Sequence, residues 1–123
     1  MPELRSRGAD TTIFVVEDDH ALGAAIRRIL EREGYCVVQA ATAEDAREVL
    51  EARTHNFAVL LTDLELPDDS GSSLAAAFLK AYPDAKIILM SSNEERLSGA
   101  AAHCLAKPFE PRALLRLLRS MLG

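Results

Sequence analysis

Residues 59–67, VLLTDLELP, decide how the rest of the chain is interpreted. A continuous aliphatic run of this length is typical of a strand that is buried on both faces of a sheet. The switch to Asp63 marks the point at which the strand leaves the core. In an open α/β sheet, the carboxyl ends of the strands form the edge at which ligands bind. We therefore expect the Asp63 carboxylate to lie at a ligand-binding edge.

The composition is that of one ordinary globular domain. The chain has 123 residues, 49% of them hydrophobic and 27% charged, with a formal net charge of -5. An acidic chain is not expected to bind a nucleic-acid backbone directly. Residues 1–10 lack the hydrophobic region of a secretory signal and predict a flexible lead-in. The longest apolar stretches have only the length of strands and no secretory signal is visible, so we predict a cytoplasmic location and no membrane association. Cys36 and Cys104 stand in no metal-ligand spacing, so we predict reduced thiols.

Strands alternate with helices along the whole chain. Strands are predicted at residues 12–16, 35–39, 57–61, 86–90 and 103–106, and helices at 21–33, 43–53, 72–82 and from Pro111 onward. Only weak helix is predicted for residues 93–102, because this segment contains Ser98 and Gly99. The alternation predicts a parallel sheet with right-handed crossovers and helices on both faces.

Polar side chains follow four of the predicted strands. Glu17 and Asp18 come after the first strand, Asp63 after the third, Ser91 after the fourth and Lys107 after the fifth. Parallel strands bring these residues to one edge, where the carboxylates would repel one another unless a cation kept them ionised. Mg²⁺ prefers oxygen ligands and is the natural candidate.

Such a pocket is suited to a phosphoryl group. The three acids are balanced by Mg²⁺ and the Lys107 ammonium, and Asp is one of the residues that form covalent phosphoryl intermediates. We expect Asp63 to attack phosphorus in line while the cations hold the equatorial oxygens. Ser91 could then donate a hydrogen bond to a phosphoryl oxygen, which would give the domain two states.

Four motifs together resemble the receiver domain of two-component response regulators. They are VVEDD at 15–19, LLTDLELPDDSG at 60–71, ILMSS at 88–92 and AKPF at 106–109. The resemblance covers residues 11–123. It implies a doubly wound, flavodoxin-like sheet of five parallel strands in the order 2-1-3-4-5. It also implies Mg²⁺ and phosphoryl transfer from a histidine kinase or a histidine phosphotransfer protein.

The resemblance also implies a role for each site residue. Asp63 is the phosphoacceptor, Ser91 the switch hydroxyl, and Lys107 the phosphate-binding lysine, whose bond to Pro108 is commonly cis. The implied metal ligands are Glu17, Asp18, Asp63 and the backbone carbonyl of Glu65. The domain would then be a signalling switch, not an enzyme on other substrates, and would catalyse only its own phosphorylation and slow dephosphorylation.

Three departures from the family pattern are visible. The interval from Ser91 to Lys107 is shorter than is usual, which predicts a shortened or irregular fourth helix. Cys104 stands where the family often has an aromatic residue three positions before the lysine. The carboxylate of Glu65 is expected near the path of an attacking water, so we predict that it affects the lifetime of the phosphoryl group.

Other interpretations stay open at this level. Glu17 with Asp63 and Glu65 imitates a Toprim-like metal-dependent nucleic-acid enzyme, and a pseudo-receiver would act by protein contact without phosphorylation. Asp19 is expected to cap a helix, and Asp68 and Asp69 to serve as turn residues. His20 is expected to be solvated. The broad apolar face of the last helix is expected to be mainly core, with a partner or homodimer surface as the alternative.

Overall fold

The computed structural model describes residues 11–97 and 103–123. Its strands are β1 (Thr12–Val16), β2 (Cys36–Ala40), β3 (Phe57–Asp63), β4 (Lys86–Ser91) and β5 (His103–Ala106). Its helices are α1 (His20–Arg32), α2 (Ala43–Ala52), α3 (Gly71–Ala81), α4 (Glu94–Leu97) and α5 (Pro111–Leu122). The predicted lead-in at residues 1–10 and the second half of the predicted weak helix, residues 98–102, lie outside the described residues.

All five strands join in one parallel sheet in the order β2-β1-β3-β4-β5. This confirms the predicted flavodoxin-like order 2-1-3-4-5. β3 lies at the centre and is paired with β1 on one side and β4 on the other. The strand that carries Asp63 is therefore held along both edges of its backbone.

Alternate residues of the strands pack on opposite faces of the sheet, as the pleat requires. In β1, Phe14 and Val16 belong to one core cluster, whereas Ile13 and Val15 belong to the other. The first cluster is covered by α2 and α3 through Ala46, Leu50, Leu74 and Phe78. The second is covered by α1 and α5 through Ile26, Leu30, Leu114 and Leu118. Helices on both faces complete the predicted three layers.

The start of β2 differs by one residue from the prediction. Gly34 has a φ of 93°, its N–H donates to the carbonyl of Glu31, and the N–H of Tyr35 donates to the carbonyl of Leu30. These two bonds form the Schellman arrangement that ends a helix at a left-handed glycine. Tyr35 is therefore occupied in terminating α1, and the strand begins at Cys36.

Two strands extend further than the hydrophobic runs predicted. Thr62 and Asp63 pair with Leu89 and Met90, and Ser91 pairs with Ala106 in the next ladder. Asp63 and Ser91 are thus the last residues of β3 and β4. Their backbones are fixed by the sheet, and their side chains are buried.

The described residues contain four residues of the fourth helix, Glu94–Leu97, and Leu97 packs into the core cluster on the α2–α3 face. The prediction that this helix is shortened or irregular depends on residues 98–102, which lie outside the described residues. The broad apolar face of α5 is used within the fold, because Leu115, Leu117, Met121 and Leu122 pack against the second cluster beside the buried leucines. In the part of the chain that the structure describes, no helix is both long and apolar enough to cross a membrane.

Candidate functional site

The carboxyl ends of β1, β3, β4 and β5 bring the predicted polar residues together. Asp63 and Ser91 end neighbouring strands, and the backbone N–H of Lys107 donates to the Ser91 carbonyl at 2.8 Å. Glu17 follows β1, and its N–H donates to the carbonyl of Ala40 at the end of β2. The backbone at this edge is therefore hydrogen-bonded from strand to strand, and the side chains it carries are placed by the sheet.

Three carboxylates form a compact acidic cluster at this edge. One ligand oxygen from each of Glu17, Asp18 and Asp63 lies within 4.8 Å of the others. Glu17 and Asp63 are buried, whereas Asp18 is exposed, so the cluster opens to solvent on one side. A set of hard oxygen donors with one open side fits a cation such as Mg²⁺, which keeps part of its water shell.

The Lys107 ammonium lies between two of the acids. Its Nζ donates to Glu17 Oε1 at 2.7 Å and to Asp63 Oδ2 at 2.9 Å. Only 16% of the lysine side chain is exposed, so solvent screens these contacts weakly. The bond from Lys107 to Pro108 is cis, as the resemblance implied.

Burial and pairing act in opposite directions on the pKa values of this group. Burial raises the pKa of Glu17, and the hydrogen bonds from Lys107 and from the N–H of Asp19 offset this only in part. Burial would lower the pKa of Lys107, but its bonds to Glu17 and Asp63 outweigh that effect and raise it. The lysine is therefore held as a cation, while the buried Glu17 retains some tendency to take up a proton.

The Ser91 hydroxyl is hydrogen-bonded to Glu65 and to the backbone of Asn93. This fully buried hydroxyl donates to Glu65 Oε1 at 3.2 Å and accepts the N–H of Asn93 at 3.0 Å. The other carboxylate oxygen of Glu65 accepts from Arg96 Nη1 of α4 at 2.8 Å. The N–H of Glu65 donates to Asp63 Oδ1 at 3.3 Å. The backbone of Glu65 therefore contacts Asp63, while its side chain contacts the Ser91 hydroxyl.

The loop between β3 and α3 is tied to α2 by acids whose structural role the sequence did not reveal. The Asp68 carboxylate accepts the N–H groups of Ala43 and Glu44 at 2.9 Å each. It therefore caps α2 although it lies in the loop that follows β3 in the chain. Asp69 accepts from Arg47 of the same helix at 2.9 Å. The expectation that these acids are only turn residues was incomplete, since a cap that is distant in the chain leaves no local pattern.

Gly71 is a second feature that the sequence did not indicate. Its N–H donates to the Leu64 carbonyl at 2.6 Å, and a Cβ at this position would overlap the carbonyl oxygen of Asp63. The first turn of α3 therefore packs directly on the backbone of the phosphoacceptor candidate. A glycine beside a serine at a helix start was visible in the sequence, but its closeness to Asp63 was not.

The remaining predicted residues take ordinary positions. Asp19 caps α1 by accepting the N–H of Leu22 at 3.0 Å, as expected, and His20 is exposed. Thr42 caps α2 by accepting the N–H of Asp45 at 3.0 Å. Among the described residues, the carboxylate cluster consists of Glu17, Asp18 and Asp63 and does not include these residues.

Comparisons with known proteins point to one family. The model of the response regulator receiver domain family matches residues 13–119. The transcriptional regulatory protein YvrH of Bacillus subtilis (strain 168) is 34% identical over 120 residues, which are 92% of this chain and 49% of that protein. The response regulator protein FleR of Pseudomonas aeruginosa is 34% identical over 118 residues, which are 90% of this chain and 24% of that protein.

Solved structures give the same result. A CheY-like response regulator receiver domain protein from Methanospirillum hungatei JF-1 has a TM-score of 0.80 and 33% identity, over 91% of this chain and 93% of that one. The receiver domain of the hybrid histidine kinase CckA has a TM-score of 0.74 and 25% identity, over 91% and 99%. The chain spans half or less of the length of the curated relatives described above. With the matching family model, the sheet order and the acidic edge, these likenesses show that the chain belongs to the response regulator receiver domain family.

Proposed function

We propose that Asp63 of this chain accepts a phosphoryl group from a phosphohistidine donor, that Mg²⁺ assists the transfer, and that residues 11–123 form the receiver unit. The family is a signalling phosphoacceptor domain and not an enzyme acting on other substrates. The observation that carries the proposal is the position of Lys107 Nζ, 2.9 Å from Asp63 Oδ2 and 2.7 Å from Glu17 Oε1. A cation held against a buried carboxylate nucleophile is the arrangement that phosphoryl transfer to Asp requires.

The transfer conserves atoms and charge without a further reactant. One carboxylate oxygen of Asp63 attacks phosphorus in line with the phosphorus–nitrogen bond of the donor. The phosphorus–oxygen bond forms as the phosphorus–nitrogen bond breaks, and the imidazole nitrogen leaves with the bonding electron pair and takes a proton from solvent. Slow hydrolysis of the acyl phosphate by water then returns inorganic phosphate and the Asp63 carboxylate.

The acidic cluster is of the kind at which receiver domains bind Mg²⁺. In this chain Glu17, Asp18, Asp63 and the backbone carbonyl of Glu65 would hold the ion. When bound, Mg²⁺ supplies positive charge beside the phosphoryl oxygens and offsets repulsion between the acids. Lys107 supplies the second positive charge, and its raised pKa keeps it protonated at neutral pH.

We propose that Ser91 reports the phosphorylated state. Its hydroxyl ends β4, which pairs with β3 through Asp63 and Met90, so it lies next to the phosphoacceptor on the neighbouring strand. A hydrogen bond from this hydroxyl to a phosphoryl oxygen would draw the end of β4 toward Asp63 and alter the surface near α4.

The partners belong to the proposal as well. Receiver domains take phosphoryl groups from histidine kinases or phosphotransfer proteins, and we propose such a donor in the cytoplasm for this chain. The altered surface would act on a downstream protein. A homodimer remains a prediction, as does the absence of direct nucleic-acid or membrane binding.

The test is phosphorylation by a small donor. The purified chain is incubated with phosphoramidate and Mg²⁺ and analysed by intact mass. We expect one added phosphoryl group on the wild type, none on Asp63→Asn, and one on the control Asp84→Asn, which changes an exposed acid between α3 and β4. Omission of Mg²⁺ should slow the reaction strongly.

Other outcomes would support the alternatives. A wild type that binds Mg²⁺ but takes up no phosphoryl group would refute the phosphoacceptor role and restore the Toprim-like reading, which needs neither Ser91 nor Lys107. A wild type that neither binds Mg²⁺ nor is phosphorylated would be a pseudo-receiver. The comparisons give the Toprim-like interpretation no support, because the family model that matches residues 13–119 is that of the receiver domain.

A further inference from the structure

The side chains of Ser91, Glu65 and Arg96 form a chain of hydrogen bonds beside the site, between the β3–α3 loop and α4. Glu65 accepts from the Ser91 hydroxyl at 3.2 Å through one carboxylate oxygen and from Arg96 at 2.8 Å through the other. Glu65 and Arg96 are 31 residues apart in the chain. The ion pair therefore links the β3–α3 loop directly to α4.

The hydroxyl of Ser91 has one proton to donate. In the present arrangement that proton is directed to Glu65, while the oxygen accepts from Asn93. A serine hydroxyl cannot donate the same proton to Glu65 and to a phosphoryl oxygen on Asp63. The two acceptors therefore compete for Ser91.

The negative charge of a phosphoryl group on Asp63 would favour transfer of the Ser91 hydrogen bond from Glu65 to that group. The N–H of Glu65 donates to Asp63 Oδ1, which places the two residues side by side. A dianionic phosphoryl group on Asp63 would repel the Glu65 carboxylate and attract the Ser91 proton. Arg96 and Glu65 are about half exposed, with 56% and 46% of their side chains accessible, so their ion pair is weak enough to be displaced.

We propose that Glu65 and Arg96 form an autoinhibitory latch, in which Arg96 is a positioning residue that holds the Glu65 carboxylate against the Ser91 hydroxyl in the unphosphorylated protein. Phosphorylation of Asp63 releases the latch, because Ser91 turns to the phosphoryl group and Glu65 is repelled. Arg96 then loses its partner, and the change reaches α4 directly. This inference rests on the proposed function of Asp63 and Ser91.

The test measures the affinity of the intact chain for beryllofluoride, a phosphoryl mimic, by calorimetry at saturating Mg²⁺. Arg96→Gln removes the positive charge that holds Glu65 in place. Beryllofluoride binding should then tighten by about two- to fivefold, because the Ser91 hydroxyl is released without breaking an exposed ion pair. Arg96→Lys should lie closer to the wild type. The control Arg119→Gln breaks the exposed pair with Glu33 on the α5 side and should leave the affinity unchanged.

Two further measurements of beryllofluoride affinity distinguish release of the latch from a general structural effect of the Arg96→Gln substitution. In a Ser91→Ala background, Arg96→Gln should no longer tighten binding, since there is no hydroxyl to release. At high salt, the difference between the wild type and Arg96→Gln should shrink, because exposed ion pairs are screened.

Each result has a definite reading. Unchanged or weaker binding by Arg96→Gln, or equal tightening with and without the Ser91 hydroxyl, would overturn the latch. Weaker binding would identify Arg96 instead as a residue that attracts the phosphoryl group. A wild type that binds no beryllofluoride and takes no phosphoryl group would overturn the proposed function itself, and the latch with it.

Discussion

Gly71 begins α3, and its Cα faces the backbone of Asp63, the proposed phosphoacceptor. A methyl group at this position would overlap the carbonyl oxygen of Asp63 and lie 2.9 Å from the Cα of Leu64. Carbon atoms in contact prefer about 3.5–4.0 Å, so the Gly71→Ala change must separate α3 from the end of β3 by at least about 0.6 Å. The neighbours that must move are backbone atoms, which no rotamer change can relieve.

This displacement determines the expected loss of stability and of phosphorylation rate in Gly71→Ala. Overpacking of this kind typically costs about 1–3 kcal/mol, offset by up to about 1 kcal/mol because alanine has less freedom than glycine in the unfolded chain. The nucleophile moves with the backbone, and misplacement near 1 Å can cost on the order of 100-fold in rate. We expect Gly71→Ala to lower the free energy of urea unfolding and to slow phosphorylation by phosphoramidate by roughly 10- to 100-fold.

Gly23 provides the matched control. It lies within α1, and a Cβ there would meet only the end of the Gln39 side chain, at 3.2 Å. Gly23→Ala should leave phosphorylation unchanged and keep or raise stability, by up to about 1 kcal/mol for a glycine inside a helix. If Gly71→Ala unfolds at the same urea concentration as the wild type and is phosphorylated at the same rate, the contact of α3 with Asp63 does not position the nucleophile.

Two further predictions concern acids of the β3–α3 loop. Glu65→Ala should change the dephosphorylation rate of Asp63, because the mutation removes a negative charge from the neighbourhood of the attacking water, and a rate within about twofold of the wild type in a phosphate-release assay would end that idea. For Asp68, the N–H groups at the start of α2 hold the pKa below its ordinary value of 3.8. A lowered folded-state pKa means that the unfolded chain binds more protons, so this stabilisation is complete above about pH 5 and is lost as the pH falls through the folded-state value. Urea unfolding of the wild type and Asp68→Asn should therefore differ at neutral pH and converge as the pH falls through the lowered pKa that Asp68 has in the folded protein, and a gap of constant size would contradict the proposed cap.

Much of the fold could be predicted because its signals are local. A buried parallel strand favours a continuous apolar run, and such a run located β1 to the residue. The bounds of β5 were also predicted to the residue, although this short strand begins with the exposed His103. The ends of β3 and β4 were placed too early, because Thr62, Asp63 and Ser91 are polar and yet paired in the ladders. Backbone pairing does not depend on side-chain polarity, so the pattern of hydrophobic residues could not detect it.

The acidic edge could also be predicted, since sheet topology alone brings strand ends together. The arrangement around it could not. The contact between Arg96 and Glu65, and the approach of Gly71 to the Asp63 backbone, depend on the angles at which α4 and α3 leave the sheet. Arg96 resembles any exposed arginine in sequence, and a periodic pattern contains no information about such angles.

The distant cap of α2 has a consequence for the order of folding. Asp68 lies 25 residues beyond Ala43, the first residue of the helix that it caps. During synthesis from the N-terminus, the ten residues of α2 emerge before this carboxylate exists, and an isolated helix of that length is marginal in water. We therefore expect α2 to become stable only once β3 has joined the sheet and brought Asp68 into place, so that the nascent chain acquires the helix and the strand that carries Asp63 in a single event.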